Sequence, residues 1–144
     1  MKPNFNILLI LSLLLSCYSQ LIESFCVYNQ LSGDRVTLRV DNPFVSAPPI
    51  RTFKKDIVQG GRVCCPYDNA DCVAGLEKDS PIELKLRFAF DLITVKEADR
   101  QYTAYCEGGG GIIITGSNFN DIESACYKVN GDVTRDKLID WVPA

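Results

Sequence analysis

The chain has 144 residues, 47% of them hydrophobic, with 15 basic and 18 acidic side chains, seven cysteines and no histidine. That length fits one domain. A net charge of −3 with no basic cluster makes nucleic acid and anionic membrane surfaces poor partners. The missing histidine removes the usual base for a serine or cysteine nucleophile.

Residues 1–6 are short and carry Lys2, residues 7–15 are apolar except for Ser12, and small and polar residues follow. This order is that of a secretory signal peptide, cleaved after Ser19 with Cys17 and Ser19 as the small residues before the cut. The apolar run is too short to span a bilayer, so no transmembrane segment is expected. Leu14-Leu15-Ser16-Cys17 also reads as a lipobox, in which case Cys17 carries a lipid. Either way six cysteines remain in the domain formed by residues 20–144: Cys26, Cys64, Cys65, Cys72, Cys106 and Cys126. An even number in an exported chain of this size implies three disulfides.

Residues 25–31 are aromatic and β-branched and form a first strand. After the turn residues Ser32-Gly33-Asp34, residues 35–41 alternate, with Val36, Leu38 and Val40 on one face and Arg35, Thr37, Arg39 and Asp41 on the other. The pattern predicts a half-buried strand in a hairpin with the first. Pro43, Pro48 and Pro49 make 42–50 a loop or an edge excursion. Residues 51–58 are the next strand candidate, and Gly60-Gly61 turns them into 63–65 as a second hairpin.

Cys64 and Cys65 are adjacent, and neighbours on a strand point to opposite faces, so they enter separate bridges. Pro66 ends that strand or sets it at a sheet edge. Asp68, Asn69 and Asp71 are turn formers, and a Cys65–Cys72 bridge would close them into a compact loop. Their oxygens raise calcium as an alternative, but EF-hand spacing is lacking. Zinc gives way to disulfides for want of histidine and of a second Cys-x-x-Cys. No metal or cofactor is expected. The other two bridges are expected to run from Cys106 or Cys126 back to Cys26 and Cys64.

Residues 82–93 hold the strongest alternation, with Leu84, Leu86, Phe88 and Phe90 opposite Glu83, Lys85, Arg87 and Asp91. This predicts a central strand with one wet face. Residues 95–100 are charged and read as a loop, with a single helical turn as the alternative. Strands 102–106 and 112–115 flank Glu107 and four glycines, 108–111, which suit a hairpin or β-bulge better than an anion cradle, since no Gly-Lys-Ser/Thr follows. Residues 122–129 form another strand before the turn signal Asn130-Gly131. Residues 133–144 supply a last strand or a docked turn, and Trp141 either pins the tail or stacks on a sugar. Seven or eight short strands without a convincing helix define an all-β fold, a small disulfide-stabilised antiparallel β-sandwich.

Glycoside hydrolysis needs only two carboxylates. Glu83 and Asp91 fall on a wet face, however, and Glu97, Asp99 and Glu107 in loops, so no pair is marked as converging. A non-enzymatic protein is expected. Val27-Tyr28-Asn29, Gly60-Gly61-Arg62, Cys64-Cys65-Pro66-Tyr67, Asn69-Ala70-Asp71-Cys72 and the later cysteine before 108–111 together resemble small secreted cysteine-rich fungal proteins. The resemblance implies a secreted β-sandwich, discussed as an effector candidate in fungus–host contact, and carries over no catalytic residue. The expected function is therefore extracellular binding or interaction, effector-like or directed at a cell-wall glycan, with a glycan or a host protein as partner. The expected recognition surface comprises Asp68, Asn69 and Asp71, loop 42–49, loop 118–121 with Asn118, and Trp141. The alternative is a carboxylate-dependent extracellular hydrolase.

Overall fold

The computed structural model describes residues 24–33, 36–42, 53–89 and 101–138, all in strands, turns and loops. Among the described residues nine strands run in the order β1 (Ser24–Leu31), β2 (Thr37–Asp41), β3 (Lys54–Val58), β4 (Arg62–Pro66), β5 (Pro81–Ala89), β6 (Gln101–Glu107), β7 (Gly111–Gly116), β8 (Glu123–Tyr127) and β9 (Val133–Lys137). They form two sheets, β4-β1-β7-β8-β9 and β3-β2-β5-β6. The β-sandwich class is thus as expected, with one or two more strands. Among the described residues no helix is long and apolar enough to cross a membrane.

Period-two burial builds the core. Phe25, Val27, Asn29 and Leu31 of β1 face inward, as do Leu84, Leu86 and Phe88 of β5 and Tyr102, Ala104 and Cys106 of β6. Ile112 and Ile114 join them from β7. Edge-on ring pairs Phe25–Phe53, at 5.3 Å, and Phe88–Tyr102, at 5.0 Å, help fill the interior. β5 lies between β2 and β6, the central position its alternation predicts.

Two expected hairpins do not form, nor does the hairpin alternative for residues 108–111. β1 and β2 lie in different sheets, as do β3 and β4, and β6 and β7. In each case the next strand joins the other sheet instead of pairing with its predecessor. β1 pairs instead with β4, and in parallel with β7, a departure from the all-antiparallel expectation. The glycines after β6 serve close packing. A Cβ on Gly108 would lie 2.7 Å from the Glu77 carbonyl, and one on Gly110 would lie 2.9 Å from Cys106 Sγ. The Asn130-Gly131 turn does join a true hairpin, β8–β9.

The Cys65–Cys72 bridge closes its loop as expected, and Pro66 ends the edge strand β4. The other two pairings differ from expectation: Cys26 bonds Cys64, and Cys106 bonds Cys126. Cys26 and Cys64 stand directly opposite one another on β1 and β4, with Cα atoms 4.0 Å apart, and bond each other across the ladder. Cys106 of β6 then meets Cys126 of β8, joining the two sheets.

Candidate functional site

The loops singled out in the sequence sit at opposite ends of the sandwich. Pro66, the last residue of β4, pairs with Ser24 at the start of β1, whereas Gly116, the last of β7, pairs with Leu31 at its end. The intervening eight-residue strand spans roughly 25 Å at its usual rise. Loop 67–72 therefore cannot combine with loop 117–121.

In both loops the asparagines turn their side chains onto the loop's own backbone. Asn69 Oδ1 accepts a bond from the Asp71 N–H at 2.9 Å, and the Asn69 carbonyl accepts from Cys72 and Val73. Asp68 is exposed. Among the described residues no three His, Cys, Asp or Glu side chains gather to hold a metal ion. Asn42 is buried and donates from Nδ2 to the Cys72 carbonyl at 2.6 Å, so it secures the cysteine loop. The rest of loop 42–49, and Trp141, lie outside the described residues.

At the other end, Asn118 Oδ1 accepts from the Asn120 N–H, and the Asp121 carboxylate accepts from the Ser117 hydroxyl at 2.7 Å and from the Asn118 and Ser117 N–H groups at 2.8 and 2.9 Å. These bonds, the Ser117 hydroxyl's first, hold the Asp121 pKa below the ordinary carboxylate value. A pKa depressed in the folded state supports the loop fully above the ordinary value, and that support is lost as pH falls through the depressed one. An NMR titration is expected to show Asp121 protonating below the usual range, with the Ser117 and Asn118 amides shifting in step. A midpoint in the usual range would contradict this capping role.

Chemistry converges elsewhere, in a cleft of about 330 Å³ over the Cys106–Cys126 bridge. Its walls are Tyr105, Cys106 and Glu107 from β6, Thr134 and Asp136 from β9, and Asp79 and Lys128 from the adjoining loops. The geometry follows from the strand orders. β6 is the last strand of the four-stranded sheet and is tied to β8, which leaves β9 overhanging it. All five residues of β9 are accordingly exposed.

Tyr105 falls on the outward phase of β6 and is 61% exposed. Glu107 is held by Lys128 Nζ, 3.7 Å from Oε1, and by the Val129 N–H, 3.4 Å from Oε2. Asp79 and Asp136 have no ion pair among the described residues. The cleft therefore carries an aromatic face, a hydroxyl and an excess of negative charge on a covalently fixed floor.

The sequence marks Glu107 as a solvated loop residue and Cys106 and Cys126 as disulfide cysteines, and singles out none of the other cleft residues. One usable signal was present: Tyr105 lies out of phase with Tyr102, Ala104 and Cys106, an aromatic on the wet side of a strand.

Fold and site together define a disulfide-linked all-β sandwich with a polar cleft beside the β6 edge of the four-stranded sheet. No family model, curated protein or solved structure matches the chain.

Proposed function

We propose that this is a secreted, non-enzymatic binding protein, effector-like in the sense of its resemblance to small secreted cysteine-rich fungal proteins, whose ligand seats in the β6–β9 cleft. The observation that carries the reading is Tyr105, an exposed aromatic beside a rigid polar cleft. Such a side chain offers both apolar area and a hydrogen-bonding hydroxyl to a glycan or a protein. Export is supported by the leader pattern of residues 1–19 and by three disulfides, which persist in oxidising compartments.

A second reading, the carboxylate-dependent hydrolase, draws on Asp79, Glu107 and Asp136 lining one cleft. The deciding experiment incubates oxidised protein with insoluble chitin, β-glucan and cellulose, and with immobilised basic and acidic peptides, while assaying released sugar. The binder reading predicts retention without product, lowered about tenfold or more by Tyr105→Ala, the scale of a lost aromatic anchor. Product release abolished by Asp79→Asn or Asp136→Asn would establish the hydrolase instead. Retention indifferent to Tyr105→Ala, or none at all, would remove the cleft from consideration.

A further inference from the structure

The four sheet edges are not equivalent. β3 is guarded by exposed Lys54, Lys55 and Asp56, with Arg39 clamping Asp56 through bonds of 2.6 and 2.7 Å. β4 ends in Pro66 and is stapled to β1, and β9 carries Arg135, Asp136 and Lys137. Charges and proline are usual means of blunting an edge. β6 carries neither along Gln101–Cys106: its disulfide, at Cys106, ties it to β8 of the other sheet, and its one charge is Glu107 at the end.

The β6 edge also presents free backbone groups. The Gly108 N–H bonds the carbonyl of Ser80, the residue opposite it, and Pro81, which has no N–H, stands opposite Glu107. Bonded and non-bonded pairs alternate along an antiparallel ladder. Thr103 opposite Lys85 and Tyr105 opposite Glu83 are consequently non-bonded pairs, whose N–H and C=O groups point away from β5. Among the described residues no strand lies on that side. The cleft lies at the Tyr105–Glu107 end of this edge, with the exposed inner residues of β9, Thr134 and Asp136, across from it. A fifth strand added to the four-stranded sheet beside β6 would pass through it.

We propose that the occupant is an extended polypeptide segment with a basic side chain, added as a strand to β6; this rests on the reading of the cleft as the ligand site. Main-chain bonds to Thr103 and Tyr105 supply the pairing. The incoming strand's inward side chains meet Asp136 and Thr134, where Asp79 and Asp136 add unpaired negative charge, so lysine or arginine fits and glutamate does not. Outward side chains lie beside Tyr105.

The test measures binding of a short peptide alternating lysine with valine and threonine, its glutamate counterpart, and two forms N-methylated on alternate residues. Strand addition predicts that the glutamate peptide binds at least about tenfold more weakly, and that one methylated form loses binding while its out-of-phase partner keeps it. Thr103→Pro removes an N–H that bonds nothing in the ladder and is expected to abolish binding with the fold retained. Asp136→Lys on the exposed β9 is a second variant that leaves the core untouched and is expected to weaken the lysine peptide about tenfold. Equal binding of both methylated forms would overturn the proposal. So would sedimentation showing a dimer abolished by Thr103→Pro with no peptide bound, because the occupant would then be a second copy. Polysaccharide retention sensitive to Tyr105→Ala, without peptide binding, would sink this inference and leave the cleft reading standing. Capture insensitive to Tyr105→Ala, Thr103→Pro and Asp136→Lys would sink both.

Discussion

Replacing Cys106 and Cys126 together with alanine is expected to lower the unfolding free energy by about 2–5 kcal/mol, the usual loss for a native bridge in a small disulfide-rich domain. Chain entropy alone would rank Cys26–Cys64 higher, because it closes a separation of 38 residues against 20. That advantage is only about 0.6 kcal/mol, the cost of one doubling in loop length. Burial reverses the order. Cys106 and Cys126 are both buried between the sheets, so their loss also leaves a cavity, whereas Cys64 is exposed. The Cys106–Cys126 bridge is also the one among the three that joins strands of opposite sheets. Urea unfolding should therefore show the largest fall in midpoint for this pair, and a smaller fall for Cys65–Cys72, seven residues apart. A loss below about 1 kcal/mol, or one smaller than that of Cys26–Cys64→Ala, would show that this bridge does not secure the packing of the sheets.

The second large effect belongs to Asn29, which is fully buried on the inner face of β1. Its Nδ2 donates to the Ile57 carbonyl of β3 at 2.8 Å, and its Oδ1 accepts from the Leu31 N–H at 3.2 Å. The first bond crosses from one sheet to the other, opposite the point where the Asn29 backbone meets Gly60 and Gly61. Asn29→Leu nearly preserves volume but strips both partners, and each buried polar group left unmade costs about 1–3 kcal/mol. The variant should unfold at lower urea, and the Leu31 amide should exchange faster with solvent. Parental stability in Asn29→Leu would mean that water replaces the asparagine at both groups.

Local signals read well where a single strand or a short loop decided the outcome. Leu84, Leu86 and Phe88 against Glu83, Lys85 and Arg87 require only the two-residue period, and β5 follows from it. Cys65 and Cys72 are close enough in sequence for turn chemistry to pair them. Choice of sheet was not legible. Gly60-Gly61 and the glycines after Glu107 mark reversals, but nothing in a turn says whether the next strand pairs with its predecessor or crosses the core. The parallel β1–β7 ladder joins segments more than 80 residues apart, and Cys106–Cys126 becomes predictable only once β6 is known to face β8. The same long-range fact creates the cleft. Tyr105 shows in the sequence as an aromatic on the wrong phase, but Thr134 and Asp136 join it only because β9 overhangs β6. Asn69, Asn118 and Asp121 were visible as polar loop residues for a different reason, since the loops use those groups to hold their own backbone.

The cleft as ligand site is tested most directly by mapping amide chemical shifts of the oxidised protein while adding the basic alternating peptide and, separately, soluble chitin and β-glucan oligosaccharides. The account predicts that a bound probe moves Thr103, Tyr105, Glu107, Lys128, Thr134 and Asp136 together, while Asn69 and Asn118, at the two ends of the sandwich, stay in place. Shifts centred on loop 67–72 or loop 117–121, or no shift with any of these probes, would contradict it.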